Sequence, residues 1–90
     1  MSNTIDSNIE TLYTLNGGKA EALEFKVNEA SALIGVPLAI LKLKQNVMIA
    51  CIIHKGQIEA PGGQSTIQMG DTVIVVTTER GFVDINDILA

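Results

Sequence analysis

The chain has 90 residues, of which 47% are hydrophobic and 18% are charged, and its net charge is −4. This length suffices for one domain, and the acidic balance argues against nucleic acid as a partner. No apolar run reaches the roughly 18 residues that a membrane-spanning helix requires. The lone cysteine, Cys51, cannot form an internal disulfide, which suits a reducing compartment such as the cytoplasm. The large apolar fraction favours a homo-oligomer or a piece of a larger protein.

The first predicted element is a β-hairpin. Residues 1–10 are mostly polar and are expected to form a tail or linker. Two strands, Thr11–Leu15 and Lys19–Val27, are then predicted on either side of Asn16-Gly17-Gly18, because Asn-Gly accepts the positive φ angles of a tight hairpin turn. Apolar and polar residues alternate in the second strand, which indicates one buried face and one solvated face.

A kinked helical connector is predicted next. Asn28 is a suitable N-cap for a short helical turn over Glu29–Ile34, which Gly35 would end. Pro37 suits the first turn of a second short helix over about Leu38–Leu43.

The longest apolar run, Val47–Ile53, is rich in β-branched residues. This composition predicts a central strand buried on both faces. Full burial of one large apolar side chain contributes roughly 1.5–3 kcal/mol, so leaving one face in water would forfeit about half of the total gain. Helices, a second sheet or a partner subunit must therefore cover each face.

Further turns and strands follow. Lys55-Gly56 is predicted to make a turn, and Gln57–Ala60 a short strand that Pro61-Gly62-Gly63 ends. Apolar and polar residues alternate over Thr66–Met69, and Thr72–Thr77 is predicted to be a second doubly apolar strand.

The C-terminal segment is predicted to be an amphipathic helix of about ten residues. Thr78 is a suitable N-cap, and Phe82, Ile85, Ile88 and Leu89 would share one helical face. The expected fold class is therefore α+β: a small β-sheet with a kinked helical connector and a C-terminal amphipathic helix.

Positive charge is concentrated in the middle of the chain. Between residues 30 and 70 the basic residues are Lys42, Lys44 and Lys55, and the only acidic residue is Glu59. These lysines either attract an anionic ligand or simply form a solvated surface.

The order of these elements resembles the C-terminal domain of bacterial potassium-transport regulators, the TrkA-C or RCK-C family. The resemblance covers about residues 10–90 and rests on the order and spacing of several weak motifs. These are Leu41-Lys42-Leu43, Val47–Ile53, Lys55-Gly56, Pro61, Ile67 and Gly70-Asp71 with the apolar strand after it.

The resemblance implies a domain that usually follows a Rossmann-type nucleotide-binding domain, forms dimers and regulates cation channels, transporters and antiporters. In some Gram-positive members the ligand is cyclic di-adenosine monophosphate (cyclic di-AMP), held at the two-fold dimer interface. Carried over by position, the ligand-binding residues are Asn46 and Ile49 on the strand, His54 just after it, and Pro61 in the following turn. The neighbouring Lys55 is a further candidate because of its positive charge. The family commonly has an arginine just after the strand, whereas this chain has His54-Lys55 there. Neither side chain has the planar guanidinium group with which arginine donates two hydrogen bonds to one phosphate.

Each candidate also has a plainer interpretation. His54 either contacts a phosphate or adenine nitrogen or is a surface histidine at a strand end. Lys55 either neutralises ligand charge or keeps the protein soluble. Asn46 either reads a base edge or serves as a turn residue, and Pro61 either forms an apolar wall under a ring or only a turn.

The sequence has few residues of the types that commonly act in catalysis, with one histidine and one cysteine. No histidine and cysteine are spaced as metal ligands usually are. No enzyme activity, metal or resident cofactor is expected. We expect residues 11–90 to be a ligand-sensing regulatory domain of a potassium or other cation uptake system. It would be a cytoplasmic homodimer that reaches the inner membrane through a transporter partner and binds cyclic di-AMP at its interface. The alternative is a structural dimerisation module without a ligand.

Overall fold

The computed structural model describes residues 9–28 and 31–90. These residues form a five-stranded sheet in which every pair of neighbouring strands is antiparallel. The strands are β1 (Ile9–Leu15), β2 (Ala20–Lys26), β3 (Val47–His54), β4 (Gln57–Glu59) and β5 (Thr72–Thr77). Their order across the sheet is β1-β2-β5-β3-β4, so β5 is the central strand and β3 lies beside it.

Both predicted hairpin turns are confirmed. Asn16–Gly18 forms a short 3₁₀ turn between β1 and β2, and Asn16 and Gly17 have φ angles of 50° and 65°. Lys55 and Gly56, with φ of 50° and 79°, join His54 to Gln57, which face each other across β3 and β4. Two central residues with positive φ match the twist of a two-residue hairpin.

The sheet has one covered face. Along β5, Val73 and Val75 are fully buried, whereas Ile74 and Val76 on the opposite face are only half-buried. Residues directly opposite each other in antiparallel strands share a face, and Leu23 and Ile49 flank Val75. These side chains pack against the connector and the C-terminal segment in one core. Its members are Leu23, Phe25, Val27, Leu33, Ile49, Ile52, Ile67, Val73, Val75, Phe82, Ile85 and Ile88.

The prediction that helices form the connector is wrong. The predicted helix over Leu38–Leu43 is a single 3₁₀ turn, Leu38–Ile40. Of the predicted helical turn Glu29–Ile34, residues 29 and 30 lie outside the described residues, and Ser31 to Ile34 form only a turn.

Hydrogen bonds to another segment explain this difference. The Gly35 N–H donates to the Ile67 carbonyl at 2.8 Å, and the Leu38 N–H donates to the Ser65 carbonyl at 2.9 Å. An α-helix would need donors such as these for its own turns. The connector therefore runs beside residues 63–67 in an irregular, strand-like path over the core.

The predicted C-terminal amphipathic helix is also wrong, and with it the α+β class. The segment contains one 3₁₀ turn, Ile85–Ile88, and then pairs with the chain before β3. The Lys44 N–H donates to the Ile88 carbonyl at 2.8 Å, and the Ala90 N–H donates to the Lys42 carbonyl at 2.9 Å. An apolar residue at every third position, as in Phe82, Ile85 and Ile88, fits a 3₁₀ turn as well as an α-helix. The described residues thus form an antiparallel sheet with an irregular cover and no α-helix.

Candidate functional site

The predicted ligand-binding residues lie at two ends of β3. Asn46 and Ile49 are at its beginning, whereas His54 and Lys55 are at its end. Seven residue steps of about 3.3 Å separate the two ends by roughly 23 Å. One protomer therefore does not bring these residues together around a small ligand.

At the beginning of β3 lies a cleft of about 390 Å³, the apolar cleft. Its lining includes the predicted residues Ile49 and Pro61. The complete set is Leu38, Ala39, Leu43, Val47, Met48, Ile49, Pro61, Gly62 and Gly63. The cleft opens here because β4 pairs only with Ile52–His54, which leaves this edge of β3 without a neighbouring strand.

Seven of the nine lining residues were not among the predicted site residues, and three of the seven come from one segment. Leu38, Ala39 and Leu43 come from the connector, which was predicted to be helical. A Cβ atom on Gly63 would lie 3.2 Å from the Cβ of Ala39, so the two segments approach closely where the cleft is formed. The hydrogen-bonded path of the connector, which no local pattern indicated, brings them there.

Asn46 is a turn residue just before β3. Its φ is 64°, a left-handed conformation that asparagine tolerates better than most residues. Its carbonyl accepts the Thr78 N–H at 3.2 Å. The backbone of Asn46 therefore joins the start of β3 to the end of β5, and it lies next to Val47, which lines the apolar cleft.

At the other end of β3 is a cleft of about 260 Å³, the basic cleft. Two lysines and the single histidine line it, together with one buried carboxylate. The complete set is Lys26, Ile53, His54, Lys55, Gly56, Met69, Gly70, Asp71 and Thr72.

A buried carboxylate holds the histidine of the basic cleft. The Nδ1 atom of His54 lies 2.5 Å from Oδ1 of Asp71, and the two side chains are 47% and 2% exposed. The second oxygen, Oδ2, accepts the Gln68 N–H at 2.8 Å. Both carboxylate oxygens of Asp71 are therefore engaged inside the protein.

Lys26 and Asp71 were not among the predicted site residues. Strand register brings Lys26 to the cleft: it lies opposite Thr72, which lies opposite Ile53. The Nζ atom of Lys26 donates to the Gly70 carbonyl at 2.9 Å. The Gly70-Asp71 turn before a strand was a visible signal, but only the register connects it with Lys26 and His54.

The face of the sheet opposite the core is largely apolar, and we call it the open face. Its three largest exposed side chains are Ile58, Tyr13 and Met48, which are 74%, 61% and 58% exposed. The core contains none of the apolar side chains on this face. Register and burial give them as Tyr13, Leu15, Ala20, Ala22, Met48, Cys51, Ile53, Ile58, Ile74 and Val76. The prediction that Val47–Ile53 is buried on both faces is thus wrong for the isolated protomer.

Within residues 9–28 and 31–90, no cluster of three or more histidine, cysteine, aspartate or glutamate side chains is arranged to hold a metal ion. The same residues include no helix of the length and apolar character that crossing a membrane would take.

Among the described residues, a small sheet with one uncovered apolar face and clefts of about 260, 290 and 390 Å³ is an architecture suited to binding or assembly. Comparison of sequences gives the particular family. Residues 22–89 match the model of the TrkA-C domain, and the chain belongs to that family, as the resemblance in its motifs indicated.

Curated relatives are named as parts of potassium uptake systems. A Trk system potassium uptake protein TrkA homolog of Archaeoglobus fulgidus is 44% identical over 66 residues, which cover 73% of this chain and 15% of the relative. The Trk system potassium uptake protein TrkA homolog 2 of Methanosarcina mazei is 32% identical over 72 residues, 80% of this chain and 16% of the relative. The chain thus spans about a sixth of the length of these proteins.

Proposed function

We propose that this chain is a non-enzymatic regulatory domain of a potassium uptake system. It acts as a homodimer at the cytoplasmic side of the membrane and senses a cyclic dinucleotide at the dimer interface. Membership of the TrkA-C family and the names of the relatives support the link with potassium uptake. The observation that carries the dimer is the uncovered apolar face of the sheet.

A second copy of the chain is the proposed occupant of the open face. Transfer of one large apolar side chain out of water contributes roughly 1.5–3 kcal/mol, whereas association costs about 4–15 kcal/mol. Met48, Ile58 and Tyr13 of each protomer would make six such side chains in a two-fold dimer, enough to offset much of that cost. A closed two-fold interface uses the same patch on both copies, so one apolar face suffices.

The apolar cleft is the proposed dinucleotide site. Met48 belongs both to the lining of this cleft and to the open face, so a partner seated on the open face would border the cleft. Ile49 and Pro61 would contact the flat face of a base with apolar side chains. Asn46 directly precedes β3. His54 and Lys55 lie at the far end of β3, so the proposed site excludes them.

Regulation would follow from a shift in the relative orientation of the two protomers. A ligand that touches both copies stabilises the orientation in which its contacts are best. A two-fold-symmetric dinucleotide meets the same residues in each copy. The rest of the regulator, and through it the transporter, would respond to that orientation.

Sedimentation equilibrium and titration with cyclic di-AMP test the proposal together. We expect a dimer at micromolar concentration, and a ligand at 100 times its dissociation constant stabilises the fold by about 2.7 kcal/mol. Pro61→Ala should weaken binding, whereas Pro37→Ala, outside the cleft lining, serves as the control. A dimer whose melting temperature does not respond to the ligand would leave the alternative, a structural dimerisation module. A monomer would overturn both functions.

A further inference from the structure

We propose that the outer edge of β1 is a self-association surface, on which a second copy of the chain places its own β1 in antiparallel orientation. β1 lies at one end of the strand order, and in the described part of the chain β2 is the only strand that pairs with it. The edge of β1 and the open face are different surfaces. The inference therefore depends neither on the face-to-face dimer nor on cyclic di-AMP.

The backbone groups of Leu12 and Thr14 point to this outer edge. In an antiparallel strand the N–H and C=O of one residue point to the same side, and the side alternates along the strand. The Leu15 carbonyl accepts the Lys19 N–H at 3.1 Å, so Leu15 faces β2 and the residue before it faces away. Val27 gives the same direction, because its N–H and carbonyl both bond to the segment before β5, which leaves the even-numbered residues of β2 to face β1.

The two edges of the sheet differ in their protection against pairing. β4, at the other edge, has three residues, includes Glu59 and is followed closely by Pro61. Short length, charge and proline are devices by which natural proteins prevent pairing at an edge. Residues 11–15 of β1 have neither a charge nor a proline, and residues 12–15 are all exposed. An edge of this kind is expected to pair with another strand.

The strand is complementary to itself. A two-fold axis through Tyr13, perpendicular to the sheet, places Leu12 of one copy opposite Thr14 of the other, and such pairs exchange both N–H···O bonds. An axis through Leu12 would instead pair Thr14 with Glu10, which lies at an irregularity in the register of the strand. The axis through Tyr13 therefore uses both outward-facing residues of the regular part of β1.

The same axis extends an apolar row of the open face into the second copy. Tyr13, Ala22, Val76 and Met48 lie directly opposite one another in successive strands. At the axis the two tyrosines form a pair without hydrogen bonds, with Cα atoms about 4.5 Å apart, and side chains approach most closely in such pairs. Tyr13 is 61% exposed in the protomer, so its burial against its symmetry mate favours association.

Opposite charges come close at both ends of this pairing. Glu10 is the one charged residue of β1. The register places it opposite Asn16 of the other copy, at the turn that also carries Lys19. Both charged side chains are exposed, and two-fold symmetry forms the contact twice. The charges of the strand and its turn therefore favour a second copy as the partner.

The edge pairing is compatible with a face-to-face dimer. The axis of the edge pair is perpendicular to the sheet, whereas the axis of a face-to-face pair is parallel to it. Two perpendicular two-fold axes that intersect close an assembly of dimers. The edge buries fewer apolar side chains than the open face, so we expect it to pair at a higher protein concentration.

Amide hydrogen exchange tests the edge in Met48→Lys, a background that introduces a charge into the open face and suppresses face-to-face association. Between about 20 µM and about 1 mM protein, exchange of the Leu12 and Thr14 amides should slow at least about threefold. The Ile58 amide is the internal control, because alternation from the Lys55-Gly56 turn directs its N–H away from β3. Rates that do not depend on concentration, including protection at both concentrations, would overturn the inference.

Thr14→Pro in the same background removes one outward donor and none of the bonds between β1 and β2, since an edge strand accepts proline where the N–H faces solvent. It should weaken association at least about tenfold in sedimentation equilibrium and keep the dispersed amide spectrum of a folded protein. Thr14→Val is the matched control, because it retains the N–H. Equal association of the two variants contradicts pairing through this edge.

A charge exchange tests the partner without altering the backbone. Lys19→Glu should weaken association about threefold, because it places an acid near Glu10 of the second copy. Adding Glu10→Lys should restore the association. A double variant that associates more weakly than Lys19→Glu would overturn the proposed register.

Disulfide formation tests the position of the axis, with Cys51→Ala removing the native thiol. Tyr13→Cys should form an intermolecular disulfide in a glutathione buffer, because the expected Cα separation lies in the range that a disulfide accepts. Leu15→Cys is the control, since its symmetry mate lies four residues away along the paired strand, or about 13 Å. Equal crosslinking of the two variants would mean random collision and would overturn the pairing.

Discussion

The two faces of the sheet have similar apolar residues and different surroundings. On β5, Val73 and Val75 are fully buried beneath the connector and the C-terminal segment, whereas Ile74 and Val76 remain only half-buried on the open face. The same strand therefore stabilises the protomer with one face and offers the other to a partner. A doubly apolar strand predicts that both faces need cover, but not whether the same chain provides it.

The largest expected loss of stability follows from a substitution on the covered face of the sheet. Phe25→Ala removes a fully buried ring and should lower the free energy of unfolding by about 3–5 kcal/mol. Tyr13→Ala is the matched control, because this aromatic side chain is 61% exposed on the open face and should cost below about 1 kcal/mol in the monomer. Urea denaturation at low protein concentration measures both. Similar losses would mean that the two faces are equally covered.

The next effect concerns Asp71, the buried polar residue between the core and the basic cleft. Asp71→Ala leaves the Gln68 N–H and the His54 ring without the acceptor that they have now. An unpaired buried polar group costs about 1–3 kcal/mol. His54→Ala removes the more exposed partner and should cost below about 1 kcal/mol. If denaturation ranks the two variants in the opposite order, the carboxylate is not the structural member of the pair.

The connector that covers the core should be sensitive at Gly35. Its φ is 77°, so Gly35→Ala should cost about 1–2 kcal/mol. Gly62→Ala is the control, since Gly62 lacks a positive φ and a Cβ atom there would have no neighbour within 4 Å. Thermal unfolding compares the two. A harmless Gly35→Ala would mean that the connector does not need its present path to cover the core.

The smallest effect on the protomer is expected on the open face. Met48→Lys should change the free energy of unfolding of the monomer by less than about 0.5 kcal/mol. It should nevertheless weaken dimerisation at least tenfold, or about 1.4 kcal/mol. Ile40→Lys is the matched control, because Ile40 is 67% exposed but lies on the connector. Sedimentation equilibrium measures both, and equal weakening would place the interface elsewhere.

The sequence predicted the strands correctly, but it predicted the connector and the C-terminal segment, which cover the core, to be helical. Alternation in β2 and the Asn16-Gly17 and Lys55-Gly56 turns are local signals, because each depends on the φ and side-chain direction of a few residues. Ile85 and Ile88 are three residues apart, a spacing that does not distinguish a 3₁₀ turn from an α-helix. That choice was made by backbone hydrogen bonds to Lys42 and Lys44.

The positions of the candidate site residues have the same explanation. Ile49 and Pro61 line one cleft, and their role in binding a ligand stays a prediction. The expectation that His54 would join them rested on position along the chain. An extended strand of this length separates its two ends by roughly 23 Å, and the sequence carries no signal that joins His54 to Lys26.

The sequence alone determined the strands, the two hairpin turns and the family to which the chain belongs, since alternation, turn residues and motif order are properties of neighbouring residues. Only the tertiary structure decided that one face of the sheet stays open and that the connector is not helical. It also decided that His54 and Asp71 meet. These features depend on register and on hydrogen bonds between segments far apart in the chain. Such contacts stabilise the fold only when both segments have reached their native positions.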